Sequence, residues 1–103
     1  MINSKQRAFL RSLANPLDCL FQVGKGEMSE QLVRGLDEIL STHELLKINV
    51  LKSAEQSPAE LAVYLADAVG AEVVQVIGRR IVLYRHSEKL AKLGKDLKLP
   101  KVL

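Results

Sequence analysis

Residues 21–40 read FQVGKGEMSEQLVRGLDEIL: an apolar stretch, a glycine-lysine-glycine turn, then a segment of helical period. Leu32, Val33, Leu36, Ile39 and Leu40 recur at the i, i+1, i+4, i+7, i+8 spacing of an amphipathic helix, and Ser29 is a plausible N-cap. A strand feeding directly into a helix is the repeating step of an α/β fold, so the rest of the chain is best read outward from this junction.

Upstream, Asn3 or Ser4 can cap a first helix. Phe9, Leu10 and Leu13 lie on its apolar face, Lys5, Arg7 and Arg11 on its exposed side, and Asn15-Pro16 ends it. "CLFQV" (19–23) predicts a short strand containing a buried thiol, Cys19, which has no partner for an internal disulfide. Downstream, "LLKINVL" (45–51) alternates as a second strand. Ser57-Pro58-Ala59-Glu60 starts a third helix: serine caps, proline fits the first turn, and glutamate closes a capping box. Leu61, Leu65, Ala68 and Val69 form its predicted buried stripe, and Gly70 is its stop. "EVVQVIG" and "RRIVLYR" then read as a hairpin turning at Gly78-Arg79. The order α-β-α-β-α-β-β predicts one compact α/β domain with a mixed four-stranded sheet over residues 1–86, and a basic tail over 87–103.

The net charge of +3 is unevenly placed. Residues 1–25 carry Lys5, Arg7, Arg11 and Lys25 against Asp18, whereas residues 26–78 set three basic residues against nine acidic ones. Residues 79–103 carry Arg79, Arg80, Arg85 and five lysines against Glu88 and Asp96. If the fold joins the two basic ends, they make the electrostatic face of a polyanion binder; a merely solvated lysine tail is the alternative. The tail "EKLAKLGKDLKLPKVL" also spaces leucines helically, which would suit a membrane surface or a protein partner, but Gly94 and Pro100 interrupt it. No apolar run approaches the ~18 residues of a membrane span, and Arg7 and Arg11 break any signal-peptide core, so the cytoplasm is the expected location.

The chemistry predicts binding and no catalysis. Cys19 has an apolar context, neither His43 nor His86 has an orienting partner in sequence, and these three are too scattered for a metal site. No cofactor or small-molecule substrate is expected. Gly24-Lys25-Gly26 places backbone N–H groups and a cation at the start of a helix, though without a Walker pattern. Such a turn can press on one backbone phosphate or serve only as a turn. The four aromatics, Phe9, Phe21, Tyr64 and Tyr84, are too few for a base-stacking platform, and Phe9 and Phe21 read as core. Contacts to phosphates, with weak base readout, are the mode this composition favours.

Taken in order, "KQRAFLRSLAN", "FQVGKGEMSE", "HELLKINVL", "VVQVIGRRIVLYR" and "LKLPK" resemble the YhbY-like proteins, built on a single CRM (chloroplast RNA splicing and ribosome maturation) domain. The resemblance spans nearly the whole chain. It implies an α/β RNA-binding domain similar to the C-terminal domain of a bacterial translation initiation factor. Bacterial members are associated with large-subunit precursors and plant relatives with intron splicing. The family's GxxG loop falls on Gly24 and Lys25, but its second glycine falls on Glu27, whose carboxylate would repel a phosphate. Gly26 can supply the flexible backbone instead. The implied RNA-binding residues are therefore Gly24, Lys25, Gly26, Lys5, Arg7, Arg11, Arg79 and Arg80, and the implied partner is ribosomal RNA. The rival reading is a protein-interaction module using the acidic middle or the leucine-lysine tail.

Overall fold

The computed structural model describes residues 2–24 and 30–97. Lys25, Gly26, Glu27, the Ser29 cap and Pro100 lie outside the described residues. The elements are α1 (Ser4–Ala14), β1 (Phe21–Val23), α2 (Glu30–His43), β2 (Leu45–Val50), α3 (Pro58–Val69), β3 (Glu72–Ile77), β4 (Arg80–Tyr84) and α4 (Glu88–Lys92). The four strands form one sheet in the order β1-β2-β4-β3. β1 and β2 run parallel, joined by the α2 crossover, while β4 pairs antiparallel with both β2 and β3. This is the mixed four-stranded α/β domain the sequence predicts.

Local signals explain most boundaries. Asn3 caps α1: its Oδ1 accepts the Gln6 amide at 2.8 Å, and the Gln6 side chain accepts the Asn3 amide in return. Ser57 and Glu60 make the same reciprocal box at α3, with Pro58 at its start. Gly70 ends α3 at φ 66, a conformation that costs glycine least. Gly78, at φ 55, lets the β3–β4 hairpin turn in two residues, Ile77 facing Arg80.

Two cores lie on opposite faces of the sheet. On one face α2 and α3 bury Leu36, Leu40, Leu61 and Leu65 against Leu46, Ile48, Ile81 and Leu83. Each such side chain contributes about 1.5–3 kcal/mol on burial. On the other face α1 brings Leu10 and Ala14 over Leu45, Val74, Val82 and Tyr84. Arg85 ties β4 to the helices above the larger core, donating to the Val69 and Asp37 carbonyls at 2.8 Å and to Ser41 Oγ at 2.9 Å.

Several expectations need correction. The first strand spans three residues instead of five, because β1 is an edge strand whose only neighbour is β2; Leu20 adds one further bond, to the Lys47 carbonyl at 3.2 Å. Cys19 is half-buried instead of enclosed. Ala68 is exposed, and Ala62 and Ala66 take the inner face of α3. Phe9 and Phe21 are only half-buried. Beyond the elements expected, α4 follows His86 and packs against α2.

Candidate RNA-binding surface

The C-terminal ends of β1 and β2 and the β3–β4 turn meet at one end of the sheet, because β1 and β2 are parallel and β4 returns antiparallel between β2 and β3. Gly24 leaves β1 there. A Cβ on this residue would lie 2.9 Å from Ser53 Oγ and 3.1 Å from Leu51 Cδ1, so glycine allows the chain to pass against the segment following β2. Backbone pairing continues at this point, with the Leu51 amide donating to the Val23 carbonyl at 2.8 Å. The predicted Lys25-Gly26 turn therefore starts from a packed anchor.

Arg79 is part of that anchor. Its Nε donates to the Val50 carbonyl at 2.8 Å and its Nη2 to the Leu51 carbonyl at 2.7 Å, while the Arg79 carbonyl accepts the Val50 amide at 2.7 Å. The guanidinium satisfies carbonyls just where the β2 ladder runs out. Only the remainder of its fork faces outward. Arg80, the next residue, is exposed and makes no side-chain hydrogen bond or ion pair among the described residues.

α1 crosses the sheet from end to end. Ile2 and Gln6 lie beside Glu72 and Tyr84, whereas Ala14 and Asn15 lie beside Gln75, Gly78 and Arg80. The predicted basic residues of α1 are consequently divided. Arg11, in the last turn and exposed, lies toward the Arg79–Arg80 end. Lys5 is exposed toward the opposite end. Arg7 is not on the free side of the helix: it is half-buried, and its Nη1 donates to the Val73 carbonyl. A long side chain reaching back to the sheet ties α1 down, and no periodicity argument could place it there.

Lys47 joins this surface although the charge pattern alone did not single it out. Its Nζ donates to the Ala14 and Asn15 carbonyls at 3.3 and 3.4 Å, closing the C-terminal end of α1 with a cation. The alternation of LLKINV was the available signal, since it puts Lys47 and Asn49 opposite the buried Leu46, Ile48 and Val50. The exposed acids Glu30, Asp37, Glu38, Glu60 and Asp67 ride on α2 and α3, across the sheet from α1. Acidic side chains thereby predominate on the α2–α3 side, where Arg34 is also exposed. Among the described residues no group of three or more His, Cys, Asp or Glu side chains could hold a metal, and no helix is long and apolar enough to cross a membrane.

Residues 2–85 match the CRS1/YhbY (CRM) domain. The chain belongs to the CRM-domain family. The chain is 37% identical over 100 residues to the probable RNA-binding protein YqeI of Bacillus subtilis, covering 97% of the chain and 100% of that protein. It is 30% identical over 88 residues to an RNA-binding protein of Haemophilus influenzae, covering 85% of the chain and 89% of the relative. The solution structure of SAV1595 from Staphylococcus aureus superposes with a TM-score of 0.77 at 40% identity, covering 97% of this chain and 100% of that chain.

Proposed function

We propose that this CRM domain is a non-catalytic RNA-binding protein that engages folded ribosomal RNA during assembly of the large ribosomal subunit. The observation that carries the reading is a groove at one end of the sheet lined by Lys47, Arg79 and Arg80 and, among the described residues, by no carboxylate, at the same end where Gly24 leaves β1. The family and the RNA-binding names of its relatives support the choice of RNA over other polyanions. The basic face draws the RNA in, and backbone phosphates settle against Arg80, Arg11, the free edge of Arg79 and the Lys25-Gly26 turn. Lys5 and Arg7 lie toward the far end, where they extend the field more than they add contacts. Glu27 weakens the loop as a phosphate clamp, while its charge at a helix start favours the fold by about 0.3–1 kcal/mol.

The test is fluorescence anisotropy with structured ribosomal RNA fragments, single-stranded RNA and duplex DNA across a salt series. Expected is a preference for folded RNA that falls steeply with salt, is weakened by Lys25→Ala and strengthened by Glu27→Gly. Equal, weak binding to every polyanion would sink the reading.

One observation favours a second reading, a protein-interaction module. Val63 and Tyr64 stand 64% and 54% exposed on α3, beside Glu60 and Asp67. A complex formed there through the apolar contact of Val63 and Tyr64 would persist at salt concentrations that abolish RNA binding.

A further inference from the structure

Phosphate contacts use only part of the surface that α1 leaves open. Residues paired across neighbouring strands share a face, so the ladder register defines rows on the α1 side of the sheet. One row runs Gln22, Asn49, Arg80, Ile77 from edge to edge; the next runs Lys47, Val82, Gln75. The following pair, Leu45 with Tyr84, is already under α1. Between the end of α1 and the hairpin, Lys47, Gln75, Ile77, Arg80 and Val82 of these rows line a groove of about 320 Å³, with Asn49 next to Arg80 in the ladder. That is the scale at which small-ligand sites begin.

The groove holds more than phosphate contacts require. A cradle needs cations and backbone N–H groups; here the Gln75 amide and an Ile77 that is 58% exposed stand among Lys47, Arg79 and Arg80, and a second amide, Asn49, flanks the groove as the ladder partner of Arg80. The side chains of Asn49, Gln75 and Arg80 have no hydrogen-bond partner among the described residues. An amide offers donor and acceptor together, as base edges require, and a guanidinium plane can stack on a base where aromatics are lacking. A paired helix makes little use of this surface, because the major groove of A-form RNA is too deep and narrow for side chains and its shallow minor groove is recognised mostly through shape, 2′-hydroxyls and phosphates.

We propose that the open end of the sheet reads the base of an unpaired ribonucleotide. Asn49 and Gln75 hydrogen-bond the base edge, Arg80 and Ile77 cover its face, and Lys47 meets the flanking phosphate. The site rests on the RNA-binding reading above and adds to it a base discrimination that phosphate contacts cannot supply.

The experiment uses the full chain, labelled with nitrogen-15, and two kinds of probe: hairpin RNAs whose extended loops are all uridine, all adenosine or all cytidine, and the fully paired duplex of their stem. The side-chain amide signals of Asn49 and Gln75 shift with at least one loop RNA and stay in place with the duplex. Asn49→Ala and Gln75→Ala each reduce the preference for that loop by about fivefold or more, leaving duplex affinity within about twofold. Retained duplex binding with unmoved amide signals, or equal affinity for all three loops, overturns the base site alone. Failure to bind any of the RNAs overturns the RNA-binding reading together with it.

Discussion

The Glu44 carboxylate reaches across 53 positions of sequence to Leu97, its Oε1 accepting the Leu97 amide at 2.6 Å. Its Oε2 accepts the Ser87 amide at 2.7 Å and lies 3.2 Å from His86 Nδ1. Glu44 is fully buried and, alone among the described non-glycine residues, holds a positive φ, 63°. It thus ends α2 in a conformation that favours glycine while anchoring the segment that carries α4. Glu44→Ala is expected to cost about 3 kcal/mol or more, because the buried Ser87 amide and the part-buried Leu97 amide both lose their acceptor. Glu44→Gly relieves the backbone yet loses the same anchor, so both variants should speed hydrogen exchange at Ser87 and Leu97. Unchanged exchange at those amides in Glu44→Gly would contradict the anchoring role.

Arg79 and Arg80 are neighbours with opposite duties. Arg79→Ala removes two hydrogen bonds from a charged donor and is expected to destabilise the fold by about 1.5–3 kcal/mol in denaturant unfolding. Arg79→Lys should recover little of this, since a single ammonium lacks the planar fork that spans the Val50 and Leu51 carbonyls. Arg80→Ala should leave stability within about 0.5 kcal/mol while lowering affinity for RNA and reducing its salt slope by about 1. Comparable unfolding midpoints for the two alanine variants would refute this division.

The sequence made the elements legible where the determinants are local. The Ser57–Glu60 box, Gly70, the period of Leu32, Leu36 and Leu40, and the turn at Gly78 act within a few residues, and each appears where its chemistry places it. On α3 the stripe Leu61, Leu65, Val69 fixed the inner face, but alanine is small enough for either side, so Ala68 was assigned inward while Ala62 and Ala66 are the buried pair. Side chains that act across the fold were not legible. Arg7 meets Val73, Arg79 meets Val50, and Glu44 meets Leu97, and nothing near any of them in sequence points to its partner. The same holds for the candidate surface: alternation puts Lys47 and Asn49 on one side of β2, but only the β1-β2-β4-β3 order sets Asn49 beside Arg80.

Gly35 sits inside α2, where glycine costs roughly 1 kcal/mol against alanine. Its place is explained by Phe21, whose Cζ would lie 2.8 Å from a Cβ at this position. Gly35→Ala should therefore destabilise by about 1–2 kcal/mol, overpacking exceeding the gain in helix propensity. Combining it with Phe21→Leu, which shortens the opposing side chain, should cost less than the sum of the single changes. Strict additivity in that cycle would show that the ring and the glycine do not meet.

Tyr84 lies under α1 on the smaller core, and its phenol is held above the ordinary value of 10.0, first by burial and then by the nearby charges of Glu44 and Asp96. Each cause disfavours the phenolate. Because the folded pKa exceeds the unfolded one, the folded state retains its proton longer. The associated stability is fully present below pH 10 and is lost as pH rises through the folded value. Lysines titrate in the same range, so the informative quantity is the difference between the wild type and Tyr84→Phe. Their difference absorbance near the phenolate band isolates Tyr84 and should show a midpoint above 10.0. In urea unfolding, the stability of the wild type relative to Tyr84→Phe should be constant through the neutral range and decline only above that pH. No decline in that difference, with a phenolate midpoint at 10.0, would place the phenol in water, outside the core that α1 closes.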